Sequence, residues 1–303
     1  MARRDSPPTT APGDHASRRL AGRAVFPVGF GAMNLSLPDA PSRREAIATV
    51  HAALDAGVDL VDTADVYAPD ADAAGHNEAL IAEALAGIAD RPLVATKGGV
   101  RRRGERWWHD GRPAHLRAAC EASLRRLRVE AIDLYYLHAV DDAVPVEESV
   151  GALARLREEG KVRAVGLSNV DHPTLARAAE VTPIAAVQNE AGPQRPGFAE
   201  DGVVAWCETH GAGFVAHSPM GGWRAGRTAH LAPLRAVADA LGTDPFGAVL
   251  AWLLSTSPAV IPIPGASRPA NARASAAAAD LRLEPAARRR LVATLKRGRS
   301  GRS

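Results

Sequence analysis

Residues 42–62 read SRREAIATVHAALDAGVDLVD, which is one helix pattern followed by one strand pattern. Ser42 and Glu45 form a capping box, after which apolar residues recur at helical spacing. Gly57 is suited to end this helix in the left-handed conformation. Residues 58–62 are a short apolar run that ends on Asp62, which is typical of a buried strand. The stretch therefore predicts a helix that leads into a strand of a parallel sheet.

The alternation of strand and helix patterns continues along the chain from about residue 25. Eight short β-branched runs are each followed by a helical pattern, and we expect strands at residues 28–31, 58–62, 93–97, 133–138, 162–168, 184–189, 213–217 and 260–263. Pro113 and Thr243-Asp244-Pro245 mark two further helix starts. No Gly-x-Gly-x-x-Gly motif follows an early strand, so a Rossmann cofactor site has no support. The pattern predicts an α/β protein with one TIM (β/α)8 barrel.

Three segments divide the chain. We expect residues 1–17 to be a disordered extension, residues 18–287 to form the barrel with a hairpin at 20–27 on its floor, and residues 288–303 to be a basic tail. The tail carries seven Lys and Arg and no acid, a pattern that can bind nucleic acid. Because Gly and Ser interrupt these charges and no aromatic residue lies among them, we interpret it as a solvated terminus.

Composition and cysteine content restrict the class of protein. With 46% apolar residues, 23% charged residues and a net charge of +3, the chain has the balance of a globular protein. Cys120 and Cys207 lie in separate helical patterns, which gives no disulfide framework. Neither a secretory signal nor an apolar run of membrane-spanning length is present. We expect a cytoplasmic protein with no membrane, nucleic-acid or metal partner, and its oligomeric state stays open.

Polar side chains end three consecutive strands of the predicted barrel. Asp62 ends the second strand and is followed five residues later by Tyr67, Lys97 ends the third, and His138 ends the fourth. Each of these groups alone has a structural explanation, such as an ion pair or a packed ring. Together they bring an acid, a phenol, an ammonium and an imidazole to the C-terminal rim, where TIM-barrel active sites form. This combination predicts a catalytic site.

The four groups also fit one reaction. A neighbouring Lys97 ammonium favours the phenolate of Tyr67 and lowers its pKa. Asp62 can hold Lys97 charged and oriented, and His138 can hydrogen-bond a substrate oxygen. Such a site polarises a carbonyl group and protonates the alkoxide that hydride transfer produces.

These residues lie in motifs through which the chain resembles the aldo-keto reductase superfamily over residues 20–297. The motifs are Gly29-Phe-Gly-Ala-Met33, Asp62-Thr-Ala-Asp-Val-Tyr67, Thr96-Lys97, Leu137-His138, Gly160-Lys-Val-Arg-Ala-Val-Gly-Leu-Ser-Asn169, Val187-Gln-Asn-Glu190, Ser218-Pro-Met-Gly-Gly222 and Ile263-Pro-Gly-Ala266. The resemblance implies a tetrad of Asp62, Tyr67, Lys97 and His138 that reduces an aldehyde or ketone on a small molecule with NADPH, Tyr67 being the general acid. In appearance the chain is similar to bacterial pyridoxal reductase-like members. The alternative is an NADPH-binding regulatory or sensor barrel without efficient turnover.

The resemblance also implies the cofactor site. It assigns NADPH contacts to Gly31, Ala32, Met33, Asp62, Ser168, Asn169, Gln188, His217, Ser218, Pro219, Met220, Gly221, Gly222, Gly265, Ser267 and Arg268. Arg268 is the candidate for the 2′-phosphate, which favours NADPH over NADH. His217 replaces the aromatic residue that usually stacks on the nicotinamide, so we expect cofactor affinity to vary with pH. Ala274 and Ser275 replace the usual Glu-Asn pair around the adenine.

Residues 98–112 form a long loop at the catalytic rim, where substrate choice is commonly set. The loop carries Arg101, Arg102, Arg103, Arg106, Trp107, Trp108 and His109. Its basic groups suit an anionic substrate, and Trp107 and Trp108 suit an aromatic or sugar ring. A solvated basic loop with one tryptophan folded onto the barrel explains the same residues. Pyridoxal, a keto-sugar, a small aldehyde and a secondary-metabolite ketone all stay open as substrates.

Overall fold

The computed structural model describes residues 16–222 and 231–300, which form a barrel of parallel strands surrounded by helices. The extension predicted at residues 1–17 lies almost entirely outside the described residues. The strands are β1 (Arg18–Leu20), β2 (Arg23–Val25), β3 (Phe30–Gly31), β4 (Leu60–Asp62), β5 (Leu93–Gly98), β6 (Val100–Arg103), β7 (Arg106–His109), β8 (Ile132–Leu137), β9 (Val162–Ser168), β10 (Ile184–Glu190), β11 (Gly213–His217) and β12 (Val260–Pro262). The helices are α1 (Arg43–Asp55), α2 (His76–Ala84), α3 (Pro113–Leu127), α4 (Val146–Glu158), α5 (His172–Val181), α6 (Val203–His210), α7 (Ala232–Leu241), α8 (Pro245–Thr256), α9 (Pro269–Ala277) and α10 (Pro285–Ser300).

Eight strands pair in parallel in the order β12-β11-β10-β9-β8-β5-β4-β3. Two backbone hydrogen bonds join the first and last strand regions, from Gly29 N to Pro262 O at 2.9 Å and from Gly31 N to Pro264 O at 3.1 Å. Gly31 also forms a parallel bridge with Gly265. Each barrel strand pairs with the next barrel strand in chain order, and at least one helix lies between the two, as βαβ units require. The predicted single-domain (β/α)8 barrel is confirmed.

The hairpin formed by β1 and β2 closes the N-terminal end of the barrel. It spans residues 18–25, two residues earlier than the hairpin predicted at residues 20–27. Leu20 and Val25 are buried and pack with Leu60 and Leu93, which are the first residues of β4 and β5. Complete burial of a leucine stabilises the fold by ~2 kcal/mol. The interior of the barrel is therefore filled with side chains at this end.

Local capping residues set several helix ends where the sequence predicts them. Ser42 Oγ accepts a hydrogen bond from Glu45 N, and the Glu45 side chain accepts one from Ser42 N, which completes the capping box of α1. Gly57 follows α1 with φ +93°. Asp244 Oδ1 accepts from Gly247 N at 2.7 Å and caps α8. These helices therefore start and stop for reasons contained in a few neighbouring residues.

Residues 285–300 form a helix, whereas the sequence analysis expects a solvated tail from residue 288. Leu291 and Leu295 are spaced by one helical turn and are buried in the main core. Arg288 Nη1 donates to Ser255 O and Thr256 O, which lie in the last turn of α8. The apolar spacing within this basic segment is what attaches it to the barrel.

Both cysteines are buried and form no disulfide, as predicted. Burial raises the pKa of Cys120 and of Cys207 to about 12, so neither thiol is reactive. In the described part of the chain, no group of three or more His, Cys, Asp or Glu side chains is arranged to hold a metal ion. No single described helix is long and apolar enough to cross a membrane. The helix pair Ala232–Leu241 and Pro245–Thr256, which is bent by 84°, would be long and apolar enough only if both helices are taken together.

Candidate active site

The four predicted catalytic side chains meet at the C-terminal rim of the barrel. Asp62 ends β4, Lys97 is the penultimate residue of β5, and His138 directly follows β8. These three strands are neighbours in the sheet, in the order β8-β5-β4. Tyr67 lies on the turn after β4, where its N–H donates to Ala64 O at 3.3 Å. Strand neighbours thus bring together residues that lie far apart in the chain.

Lys97 is held by three oxygen atoms inside the barrel. Its Nζ donates to Asp62 Oδ1 at 2.5 Å and to Thr63 O at 2.8 Å, and it lies 3.3 Å from Tyr67 Oη. Lys97 and Asp62 are both buried. Although burial disfavours its charged form, Asp62 and Tyr67 hold the pKa of Lys97 above its ordinary value. The ammonium is therefore charged at neutral pH and points at the phenol.

Gln188 binds the second carboxylate oxygen of Asp62. Its Nε2 donates to Asp62 Oδ2 at 2.7 Å, and both side chains are buried. Each oxygen of the carboxylate thus has its own donor, which fixes the orientation of Asp62. Gln188 is predicted from the sequence only as a cofactor contact, and its bond to Asp62 adds a second role inside the predicted catalytic cluster.

The phenol of Tyr67 is protonated at neutral pH. Burial raises its pKa above the ordinary value, and the Lys97 ammonium offsets this effect only in part. The lowered pKa expected from the sequence is therefore wrong for this structure, because desolvation of the phenolate outweighs the attraction to Lys97. The protonated phenol is the form that can donate a proton.

His138 lies beside Tyr67 with its ring edge-on. The two ring centroids are 5.9 Å apart and the rings are inclined by 83°. Burial, and then the Lys97 ammonium, hold the pKa of His138 well below its ordinary value, so the imidazole is neutral. Its Nδ1 has no hydrogen-bond partner among the described residues. A neutral imidazole retains one N–H that can bind a substrate oxygen.

A second network runs along the rim from β8 to β11. Asn169 Nδ2 donates to His138 O and to Ser168 Oγ, both at 3.0 Å. Because Asn169 Oδ1 can only accept, His217 Nε2 donates to it at 3.0 Å, and His217 Nδ1 then accepts from Ser218 Oγ at 3.1 Å. Asn169 and Ser218 have φ values of +57° and +51°, which are strained for residues other than glycine.

His217 is neutral in this network. Burial, and then the nearby Lys97 ammonium, lower the pKa of His217 to about 4. The expectation that His217 titration makes cofactor affinity vary with pH near neutrality is therefore wrong. The physical reason is that protonation would place a second cation in a buried position close to Lys97.

Two glycines, Gly31 and Gly265, form the rim between β3 and the end of β12. A Cβ added at Gly31 would lie 2.8 Å from Ile263 O, and one at Gly265 would lie 2.8 Å from Asn34 Nδ2. Gly31 therefore has no room for a side chain where its backbone approaches that of Ile263, and a side chain at Gly265 would displace the Asn34 amide.

Residues 218–222 form a turn that packs against the loop after β10. Gly221 N donates to Ser218 O at 2.7 Å, and Gly221 and Gly222 have φ values of +86° and +55°. A Cβ at Gly192 would lie 2.5 Å from Pro219 O, so the two loops approach closely. A glycine-rich turn of this kind exposes backbone amides that suit an anion.

The remaining predicted cofactor residues follow the same strand ends. Arg268 is exposed and is the N-cap residue of α9, where its backbone oxygen accepts from Asn271 N at 3.1 Å. The rim thus carries every predicted cofactor contact at the ends of six strands, namely Gly31, Ala32, Met33, Asp62, Ser168, Asn169, Gln188, His217, Ser218, Pro219, Met220, Gly221, Gly222, Gly265, Ser267 and Arg268.

Three buried polar residues that the sequence analysis did not single out support this rim. Thr63 Oγ1 donates to Asn77 Oδ1 at 2.5 Å, which ties the end of β4 to α2. Glu78 accepts from Thr96 Oγ1 at 2.6 Å, which ties β5 to the same helix. Asn77 and Glu78 look like ordinary polar residues of a first helical turn, so only their burial reveals the role.

The predicted substrate loop contains the hairpin of β6 and β7. Arg102 pairs with Trp107 and Arg101 pairs with Trp108, so the two tryptophans lie on opposite faces of the hairpin. Each guanidinium lies 5.1 Å from the centroid of its partner ring. Trp107 is 51% exposed, and Trp108 is half-buried. A substrate on one face of the hairpin therefore meets only one of the two rings.

A parallel barrel with a buried Asp-Lys-Tyr chain and a neutral histidine at its C-terminal rim defines a class of enzyme, and the family comparison agrees with it. Residues 27–295 match the model of the Aldo/keto reductase family. The chain therefore belongs to the aldo/keto reductase family.

Solved structures of this family resemble the chain over nearly its whole length. A glycerol dehydrogenase from Gluconobacter oxydans has a TM-score of 0.76 and 26% identity and covers 92% of this chain and 94% of that chain. An aldo-keto reductase from Klebsiella pneumoniae in complex with NADPH has a TM-score of 0.76 and 28% identity, and the match covers 91% of this chain and 94% of that chain. The holo form of an aldo-keto reductase from Bacillus halodurans has a TM-score of 0.77 and 25% identity, covering 93% and 96%. The narrower similarity to pyridoxal reductase-like members stays a prediction.

Proposed function

We propose that this protein reduces an aldehyde or ketone on a small molecule to the alcohol with NADPH, and that Tyr67 is the general acid. The observation that carries the proposal is the series of hydrogen bonds from Gln188 through Asp62 and Lys97 to Tyr67, in which each distance between donor and acceptor atoms is 3.3 Å or shorter. A similar reductase from Klebsiella pneumoniae has been solved with NADPH, which supports the choice of cofactor.

In the proposed mechanism, each residue acts on one oxygen atom of the substrate. NADPH supplies the hydride when it is bound. The neutral His138 donates its N–H to the carbonyl oxygen and orients it beside Tyr67. Tyr67 transfers its proton to that oxygen as negative charge develops, a step that general acids accelerate by about 10²–10⁴-fold. Lys97 stabilises the phenolate that remains, and Asp62 keeps Lys97 in place.

The proposed cofactor site uses the rim described above. Because Gln188 Nε2 is bound to Asp62, its Oε1 is the atom suited to accept from the nicotinamide amide. Asn169 and Ser168 lie at the same end of the site. The turn at 218–222 offers backbone amides to the pyrophosphate, and Arg268 with Ser267 lies at the 2′-phosphate.

The substitution Tyr67→Phe tests the catalytic part of the proposal. Loss of NADPH absorbance is followed with a panel of aldehydes, ketones, pyridoxal and keto-sugars. We expect Tyr67→Phe to lower kcat by about 10³-fold with an unchanged Kd for NADPH, because the substitution removes the proton donor and leaves every cofactor contact in place. Tyr135→Phe, which removes a buried phenol outside the tetrad, should keep the wild-type rate. Retained turnover in Tyr67→Phe contradicts the assignment, and tight NADPH binding without turnover of any carbonyl favours the regulatory or sensor alternative.

Arg268→Ala tests the cofactor part. We expect the Kd for NADPH to rise about tenfold and the Kd for NADH to stay the same, because a charge-assisted bond to the 2′-phosphate is lost. Fluorescence titration measures both constants. Arg273→Ala removes an equal charge from the same helix and should change neither. Equal effects of the two substitutions on NADPH binding would mean that Arg268 does not contact the phosphate.

A further inference from the structure

We propose that the hairpin of β6 and β7 makes this reductase prefer carbonyl substrates that carry a carboxylate or phosphate group, and that Arg102 binds this group. The inference rests on the proposed carbonyl reduction, and it adds the class of substrate. Trp107 acts as a positioning residue that holds Arg102 in place.

The hairpin is attached directly to the strand that carries Lys97. Gly98 and Gly99 separate Lys97 from the hairpin, and Gly99, with φ +101°, turns the chain. Asp110 N donates to Gly99 O at 2.8 Å and closes the base of the hairpin. Arg102 therefore stands at the mouth of the catalytic rim, five residues after Lys97.

Strand alternation divides the hairpin side chains between two faces. The register places Val100, Arg102, Trp107 and His109 on one face, and Arg101, Arg103, Arg106 and Trp108 on the other. One contact identifies which face is turned to the catalytic residues. Arg102 Nη1 donates to Ala68 O at 3.3 Å, next to Tyr67 in the chain.

Arg102 carries a positive charge that no carboxylate of the described residues neutralises. Its Nε donates to Gly104 O at 3.0 Å and its Nη1 to Ala68 O, and both acceptors are uncharged carbonyls. Arg101, on the opposite face, forms an ion pair with Asp110 at 3.2 Å. The charge of Arg101 is thus paired with a carboxylate, whereas the charge of Arg102 is available for a ligand.

The acids around Tyr67 do not supply this missing partner. Asp62 is bound to Lys97. Burial, and then repulsion from the Glu78 carboxylate, raise the pKa of Asp65 well above its ordinary value, which disfavours its ionised form. Asp70 Oδ1 accepts from Asp72 N at 2.9 Å and is turned onto its own loop. An anionic group beside Arg102 therefore gains attraction without a competing ion pair.

Trp107 explains how a long side chain is held before substrate binds. The Arg102 guanidinium lies 5.1 Å from the centroid of the Trp107 ring, a cation–π contact. Together with the bond to Ala68 O, this contact restricts Arg102 to one orientation. Less conformational entropy is then lost when an anion binds.

The experiment compares substrates that differ in charge. The pairs are 4-formylbenzoate with its methyl ester, for a carboxylate, and glyceraldehyde 3-phosphate with glyceraldehyde, for a phosphate. We expect kcat/KM to be about tenfold higher for at least one charged member, mainly through KM, because Arg102 binds the ground state and the transition state equally. Arg102→Ala should abolish this preference and leave the neutral members within about twofold. Trp107→Ala should weaken the preference, and Trp107→Phe, which keeps a ring, should restore most of it.

Arg103→Ala is the matched control, because it removes the same charge from the outer face of the same hairpin. Two results would contradict the inference and leave the proposed function intact. One is a wild-type enzyme that prefers neither charged substrate, and the other is an equal loss of this preference in Arg102→Ala and Arg103→Ala. If no carbonyl is reduced at all, the proposed function fails instead. Binding of terephthalate, a dicarboxylate that cannot be reduced, then still tests Arg102 through tryptophan fluorescence with NADP⁺ present. Its Kd should rise about tenfold in Arg102→Ala only, and an unchanged Kd overturns the inference.

Discussion

Lys97 lies among four titratable side chains, and its charge influences the protonation state of each. It favours the ionised form of Asp62 and lowers the pKa of both His138 and His217. Burial also lowers the pKa of the two histidines, and it raises the pKa of Tyr67. At neutral pH the site therefore contains one buried ion pair, a protonated phenol and two neutral imidazoles.

These protonation states predict how the reaction depends on pH. We expect kcat for carbonyl reduction to be nearly constant between about pH 6 and pH 9. The pKa values of His138 and His217 are lowered, so both rings stay neutral as the pH falls to 6. The pKa of Tyr67 is raised, so its proton is lost only above this window. Steady-state rates at saturating NADPH and substrate measure the profile, and a limb with its midpoint near pH 7 would show that a tetrad residue is assigned the wrong state.

At the scale of secondary-structure elements, an ion pair between α2 and α3 supports the strand that carries Lys97. Glu78 is buried in this pair and Arg126 is half-buried. Glu78 Oε2 accepts from Arg126 Nε at 2.6 Å, and Glu78 Oε1 accepts from Thr96 on β5. Gly75, with φ +87° at the start of α2, leaves the space through which Arg126 reaches Glu78, since a Cβ there would overlap the arginine. Helix and strand are thus fixed to each other one residue before Lys97.

The substitution Arg126→Met tests this support. We expect it to lower the free energy of unfolding by ~3 kcal/mol, because it leaves the Glu78 carboxylate buried without a cationic partner. Urea unfolding measures the loss. Arg117→Met removes the exposed ion pair of the same helix with Glu159 and should change the stability little.

The double variant Arg126→Met/Glu78→Gln separates lost charge pairing from lost packing. A neutral amide costs less to bury than an unpaired carboxylate, so part of the stability should return. A double variant no more stable than Arg126→Met would assign the loss to the packing of the arginine side chain.

At the scale of the whole molecule, the barrel depends on chain segments at both termini. The hairpin of β1 and β2 fills the N-terminal end, and Arg18 within it donates to Leu254 O at 2.8 Å. Helix α10 packs on α7 and α8 and contributes Leu291 and Leu295 to the main core. The last βα unit is therefore covered by a helix from outside the eightfold repeat.

Two truncations measure the contribution of α10. Removal of residues 285–303 should destabilise the protein by at least ~4 kcal/mol, because two buried leucines are lost and their neighbours become exposed. Removal of residues 298–303 alone should leave the unfolding transition and turnover unchanged. Unfolding by urea and the solubility of each variant provide the readout. Equal stability of the two truncated proteins and the full chain would mean that residues 285–300 behave as a solvated tail.

The eight strand predictions differ from the structure by at most two residues at either end, and those for β9 and β11 match throughout. The strand and helix ends could be predicted because they depend on residues that are close in the chain. The capping box at Ser42 and each apolar run involve only a few neighbouring residues. Three of the four residues of the predicted tetrad could be placed on the rim from the sequence, because a strand end in a parallel barrel is an active-site position whatever the detailed packing.

What the sequence alone determined is thus the order of elements, the barrel, and the rim on which the predicted tetrad lies. Only the tertiary structure decided the raised pKa of Tyr67, the bond from Gln188 to Asp62, and the docking of α10. Gln188 and Asp62 are 126 residues apart, and no local pattern encodes their contact. Backbone periodicity arises between near neighbours in the chain, whereas desolvation and side-chain pairing arise between distant segments that meet only when the barrel closes.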